Sequence, residues 1–306
     1  MKHDSLVGPA VRARASGLLK LSRWKEHLPF TVPATVLGVN MAATSRPELV
    51  TPDWRVPIVV LTNILAVTFA FMVNDIEDAP DDARDPQRGA RNAVTCAEIS
   101  PRDGWRASVV VGGLALALFA WSGWAACGIG ALTVGLGFLY SWRGIRLKAV
   151  PVLDVLVHLL MLSVLLFLAG YFAYDHSPGR VWLVAVSVGL LSAYGELYNQ
   201  LRDYEMDRVA GLRNTASVLG LQATRRLMLA CLGGAVVNLA ATVVIGLWPR
   251  WLVLVTLAIS PLVLVFRPAT DMRGSKAIDT SGRLQVGAMV LANVITMIWL
   301  FENVIN

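Results

Sequence analysis

Asn63-Ile64-Leu65-Ala66-Val67-Thr68-Phe69-Ala70-Phe71-Met72-Val73-Asn74-Asp75-Ile76-Glu77-Asp78-Ala79-Pro80-Asp81-Asp82 is the stretch that decides how this chain folds. It is the end of an apolar run that starts near residue 56, and it closes in acid. About 20 mostly apolar residues suffice for a helix to cross a bilayer. The run therefore reads as a spanning helix whose last turns carry carboxylates. Asp near lipid is costly unless it faces a cavity or a partner. Asn74, Asp78 and Asp82 step by four, and Asp75 stands three and seven residues before Asp78 and Asp82, so a continuing helix would line them along one face. Glu77 and Asp81 point elsewhere. Pro80 is expected to end or bend the helix.

Working outward, the same pattern recurs. The 306 residues are 56% hydrophobic with mean hydropathy +0.58, above the roughly 45–50% of a soluble domain. Nine apolar segments stand out, at 28–44, 56–76, 105–122, 124–141, 151–174, 179–201, 225–247, 250–266 and 284–303. An all-α, polytopic membrane chain of about nine spans is expected. Residues 1–306 form a single transmembrane domain on this reading, because no polar stretch is long enough to fold separately. Gly112, Gly113, Gly128, Gly130, Gly135 and Gly137 are expected to be close-packing points between helices.

Charge gives the orientation. Of 27 Lys and Arg, 23 fall in residues 1–27 and in the loops near 79–106, 142–150, 202–226 and 267–283. Only Arg46, Arg55, Arg180 and Arg250 fall on the other side. The positive-inside rule places the rich side in the cytoplasm, so the chain is expected in the cytoplasmic membrane with its N-terminus inside. The formal charge of +6 then reflects cytoplasmic loops, and no basic stripe interleaved with aromatics points to nucleic acid. The first 27 residues lack an apolar core, so no cleavable leader is expected. Their basic residues and Trp24 fit a stretch lying in the membrane interface. Cys96, Cys127 and Cys231 form neither a CxxC nor a metal spacing.

The second acidic cluster lies at the end of the sixth segment, on the same side as the first. It reads Tyr198-Asn199-Gln200-Leu201-Arg202-Asp203-Tyr204-Glu205-Met206-Asp207. Asn199, Asp203 and Asp207 again step by four, and Glu196 sits one turn earlier on nearly the same face. Two such faces opposed across a cavity supply hard oxygen ligands of the kind Mg2+ takes together with waters and phosphate oxygens. A diphosphate bridged to the carboxylates by metal is the fitting partner.

These residues resemble the UbiA superfamily of intramembrane prenyltransferases. Its Asn-Asp-x-x-Asp-x-x-x-Asp motif is matched by Asn74, Asp75, Asp78 and Asp82. Its Asp-x-x-x-Asp motif is matched by Asp203 and Asp207, with Asn199 one turn before. The resemblance spans nearly the whole chain. It implies a helical bundle around a central cavity capped by cytoplasmic loops, Mg2+ held by these Asp and Asn side chains, and transfer of a prenyl group from a prenyl diphosphate donor to an acceptor. Many members follow the first motif with an Arg-Pro pair and a small-residue-Gly step. Here Asn92 and Ala97 depart from both. The stretch Tyr140-Ser141-Trp142-Arg143-Gly144-Ile145-Arg146-Leu147-Lys148 is similar to the form found in chlorophyll synthase and related members, which prenylate lipophilic acceptors, rather than to the hydroxybenzoate branch. Its usual prolines are replaced by Arg143 and Gly144.

Breaking an allylic C–O bond develops negative charge on the leaving diphosphate, which metals and fixed cations stabilise. Arg146 and Lys148 are the proposed clamp, with Arg143, Arg88, Arg91 and Arg213 as further candidates. Tyr140 is expected to bond a phosphate oxygen or face the prenyl cation, or else to sit in the interfacial aromatic belt. Asp154 and His158, one turn apart in an apolar run, are expected to orient the acceptor or take its proton. Arg23 and His27 are candidates for acceptor recognition. Besides a lipophilic or aromatic acceptor and the membrane lipids, other outcomes share the ionisation or the clusters: terpene cyclisation, phosphoribosyl transfer to a polyprenyl phosphate, and transport.

Overall fold

The computed structural model describes residues 9–46, 53–271, 273 and 278–305. Residues 1–8 of the N-terminal segment and Lys276 of the last basic loop lie outside it. Every regular element among the described residues is helical. Seven helices are long and apolar enough to cross a membrane: α3 (Arg55–Asp82), α5 (Pro101–Trp121), α6 (Trp124–Ser141), the composite Leu153–Phe172, α9 (Val181–Arg202), α11 (Thr215–Val244) and α14, which begins at Thr280. The other two expected spans are also helical. They are α2 (Trp24–Ser45), preceded by α1 (Pro9–Ser22), and the shorter apolar pair α12 (Arg250–Ile259) and α13 (Leu262–Val265).

Local chemistry sets the helix starts. Ser100 accepts from the Asp103 amide and Pro101 follows it, a cap with proline in the first turn. Asp85 caps the short α4 (Pro86–Arg91) by accepting from the Gln87 and Arg88 amides. Asn214 caps α11 through the Ser217 amide. The composite span is α7 (Leu153–Leu159), a π-helical turn (Leu160–Val164) and α8 (Leu165–Phe172). Such π segments recur at functional sites.

Buried amides tie helices together where lipid offers no hydrophobic drive for association. Asn63 of α3 donates to Thr35 Oγ1 of α2 at 2.8 Å and to the Leu166 carbonyl of α8 at 3.0 Å. Asn40 of α2 donates to the Thr296 carbonyl of α14 at 2.9 Å. The glycines only partly fill the expected role. Gly112, Gly130 and Gly137 do press against Phe69, Phe119 and Ala70, but Gly113, Gly128 and Gly135 have open space where a Cβ would stand. The closest approach of neighbouring helix backbone to a described glycine is elsewhere, at Gly38 of α2 and Gly170 of α8.

Pro80 does not end α3, which runs on to Asp82. Side chains from the following segment support this last turn. Asn92 donates to the Asp75 carbonyl at 2.8 Å, and Thr95 donates to the Ala79 carbonyl at 3.2 Å. The helical continuation keeps Asp75, Asp78 and Asp82 on one face, where all three line the same cavity.

Candidate active site

The cavity measures about 800 Å3 and is lined by α2, α3, α9, α14 and the π-helical turn, with a polar mouth built by the connecting segments. Asn74, Asp75, Asp78, Asp82, Asn199, Asp203 and Asp207 all line it. The two acidic clusters, far apart in sequence, thus meet at one mouth. Asn74 donates to Asp78 Oδ2 and to Ser141 Oγ, both at 3.1 Å. Asn92, in the position where the resemblance leads one to expect proline, donates to Asp82 Oδ2 at 2.8 Å. Its departure from the family pattern is therefore a brace on the first cluster. Ala97 occupies a left-handed backbone position (φ 57) where the pattern has glycine.

Cations from several segments neutralise these acids. Lys148 bonds Asp78, and Arg146 reaches Asp78 Oδ1 at 3.2 Å. Arg23, in the turn between α1 and α2, holds Asp75 Oδ1 at 3.0 Å and Glu26 at 2.6 Å. Arg88 meets Asp207 Oδ1 at 2.8 Å and Asp203 Oδ2 at 3.8 Å. Arg273 meets Asp203 Oδ2 at 2.6 Å. Burial pushes the Asp203 carboxyl up, but Arg273, Arg88 and Arg202 together pull it below the usual carboxylate range. At Asp207 burial outweighs Arg88 and pushes the carboxyl up. Burial would lower the Arg88 guanidinium, yet Asp207 and Asp203 hold it above its ordinary value.

The basic loop divides. Lys148 lines the cavity; Arg146 stands behind it, between Asp78 and Asp81. Arg143 turns away, donating to Glu77 and to Asp81 Oδ2 at 2.8 Å. The two acids outside the cavity face thus anchor this loop. Arg91 lines the mouth and Arg213 is exposed outside it. Sequence reasoning missed Arg273. It lies in a basic loop, but no spacing separates it from its neighbours.

Asp154 and His158 are not partners. Asp154 is fully buried and accepts from the Thr215 hydroxyl, the Thr215 amide at 2.5 Å and Gln200 Nε2 at 2.9 Å. It ties α7 to α9 and α11. His158 lines the cavity and places Nε2 3.2 Å from Glu196 Oε2. Tyr140 lines the cavity and donates to Glu196 Oε1 at 3.3 Å. Of the N-terminal candidates, Arg23 lines the mouth, whereas His27 is buried against Thr68.

Does this donor set suit Mg2+? Its candidate ligands are all hard oxygens. Asp75 Oδ2 is buried with no hydrogen-bond partner among the described residues, an orphan that a cation would satisfy. No three carboxylates among the described residues close on one point, which suits an ion that keeps waters and phosphate oxygens in its shell. The residues present fit the ion.

The model of the UbiA prenyltransferase family matches residues 31–281. The chain is 32% identical over 208 residues to the lycopene elongase/hydratase of Haloarcula japonica, covering 66% of this chain and 67% of that protein. It is 32% identical over 110 residues to the C(50) beta-cyclic carotenoids biosynthesis protein LbtBC of Dietzia sp., covering 36% of this chain and only a quarter (25%) of the relative's length. Its fold is similar to that of a UbiA homolog from Archaeoglobus fulgidus bound to GPP and Mg2+, with TM-score 0.71 and 21% identity over 95% of this chain and 100% of that one. With the matched model spanning most of its length, this membrane protein belongs to the UbiA prenyltransferase family.

Proposed function

We propose that this protein transfers an isoprenyl group from a prenyl diphosphate to a lipophilic acceptor and releases diphosphate. The observation that carries the reading is the convergence of both acidic clusters on the mouth of one apolar cavity, with Asp75 Oδ2 left unsatisfied. Asn74, Asp75, Asp78 and Asp82 on one side and Asn199, Asp203 and Asp207 on the other would hold Mg2+ against the diphosphate. When bound, the ion supplies Lewis-acid stabilisation to the departing diphosphate. Lys148, Arg88, Arg273 and Arg23 add fixed positive charge at the same mouth. Arg146 orients Asp78, and Arg143 anchors the loop that presents Lys148. The active face is the cytoplasmic one on the charge distribution.

The cavity wall supports a lipophilic acceptor. Below the mouth it is built from residues such as Phe30, Leu37, Phe71, Leu162, Val188 and Met289. A long hydrocarbon acceptor of polyene type fits it, as the names of the two carotenoid-related relatives suggest. The test is direct. Purified protein in lipid is given Mg2+, geranyl, farnesyl or geranylgeranyl diphosphate, and a linear polyene or a native lipid extract. Product masses should equal acceptor plus one or two prenyl units. No consumption of any donor with any acceptor would overturn the transferase reading, and a cyclised hydrocarbon formed without acceptor would replace it with a cyclase.

A further inference from the structure

We infer that His158 and Glu196 form the dyad that takes the proton released when the prenyl carbon bonds to the acceptor. The inference rests on the proposed transfer reaction and assigns its last step.

The dyad has the geometry of an oriented imidazole. Glu196 is buried and accepts from three donors: Tyr140 at 3.3 Å, Gln200 Nε2 at 3.0 Å, and His158 across 3.2 Å at its other oxygen. A carboxylate so surrounded draws the imidazole proton to Nε2. That leaves the Nδ1 lone pair as the free base, with the Ser192 hydroxyl 3.4 Å away. His158, Ser192, Glu196 and Tyr140 all line the cavity. Asp154 does not join them; it holds Gln200 from behind, which fixes the far side of Glu196.

The dyad also stands at the right depth. Glu196 precedes Asn199 by three residues on α9, about 4.5 Å along the axis. Tyr140 is next to Ser141, which bonds Asn74. The dyad is therefore about one turn inward of both clusters, where the carbon freed from the diphosphate would meet an acceptor double bond. An ionisable pair at membrane depth is costly unless it serves a cavity.

The step balances. The allylic C–O bond breaks and its electron pair leaves with the diphosphate. The acceptor π pair forms the new C–C bond and leaves a cation on the neighbouring carbon. His158 Nδ1 takes a proton from the carbon beside that cation, and the C–H pair closes a new double bond. Glu196 stabilises the resulting imidazolium, which returns its proton through the polar mouth.

The test compares two products of one reaction. Full-length wild type, His158→Ala and Glu196→Gln are assayed with Mg2+, geranylgeranyl diphosphate and a linear polyene. Diphosphate release and coupled, deprotonated product are measured separately. Coupled product is expected to fall about 10²-fold in His158→Ala, with diphosphate release falling much less and the balance appearing as water-captured alcohols. Added imidazole should restore coupling in His158→Ala, which a merely structural histidine would not allow. Equal loss of both products without imidazole rescue, or no loss, would overturn the dyad while leaving the transfer reading intact. Failure of the wild type to release diphosphate would sink the transfer reading itself, and the dyad's role with it.

Discussion

Arg88 lies 2.8 Å from Asp207 Oδ1 and 3.8 Å from Asp203 Oδ2, so the segment that follows the first acidic cluster supplies one of the cations that neutralise the second. One guanidinium thereby couples the two halves of the mouth. In Arg88→Gln the carboxylates of α9 and α10 (Tyr204–Val209) lose this counter-charge, and an incoming diphosphate meets a more negative surface. The donor KM should rise and kcat should fall about 10²-fold, measured at saturating Mg2+. Unchanged constants would make the pair a structural clasp only.

Asp78 and Asp81 are three residues apart and bind overlapping cations, yet only Asp78 lines the cavity. Asp78→Asn and Asp203→Asn should each cut turnover by about 10³-fold. Asp81→Asn loosens Arg143 and Arg146 but removes no cavity oxygen, so its loss should stay below about tenfold. Equal losses at the two positions would mean that loop placement, rather than ligand chemistry, limits the reaction.

The acidic faces were legible because helical spacing is a local property: Asn74, Asp78 and Asp82 share a face wherever the helix goes. The spans were legible for the same reason, since each apolar run needs only its own length. Partner choice was not. Asp154 and His158 stand one turn apart and both meet α9, but Asp154 is taken up by Gln200 and Thr215, while His158 pairs with Glu196 one turn earlier on α9. Pro80 read as an end or a bend because the bonds that sustain the last turn come from Asn92 and Thr95. The packing glycines were misjudged because a Gly-rich run marks permission for close approach, and only the neighbouring helix decides where that permission is used.

Tyr198 donates to Asp279 Oδ1 at 2.6 Å, joining α9 to the residue before α14. Slight burial pushes the Asp279 carboxyl up, but Tyr198 and the Gly282 amide outweigh it and hold it below the usual range. A depressed carboxylate adds stability above its unfolded value of about 4 and loses it as pH falls through the lower folded value. The site is largely exposed, so the gain is under ~1 kcal/mol. Tyr198→Phe should lower Tm by about 2 °C at neutral pH, and the gap from wild type should close on acidification toward about pH 3. A gap that widens in acid would contradict this assignment.

At Gly38 and Gly170 the backbones of α2 and α8 approach each other closely. A Cβ on Gly38 would stand 2.0 Å from the Phe167 carbonyl oxygen and 2.7 Å from the Tyr171 amide, and one on Gly170 would stand 2.1 Å from the Thr35 carbonyl oxygen. Both clashes are with backbone, which no rotamer change relieves, so alanine must push α2 away from α8. Overpacking of this kind costs about 3 kcal/mol, and Tm should fall by several degrees in Gly38→Ala or Gly170→Ala. Gly113→Ala and Gly135→Ala meet open space, and the better helix propensity of alanine should leave Tm unchanged or slightly higher. The two pairs separate packing from propensity within one protein. The crossing also bears on the cavity, because Phe30 and Leu37 of α2 and Met161 and Leu162 of the composite span all line it. Variants that survive at Gly38 should therefore accept bulkier prenyl donors, read as a shift in relative kcat/KM between geranyl and geranylgeranyl diphosphate. An unchanged preference alongside a lowered Tm would show that the crossing holds the bundle together without shaping the donor channel.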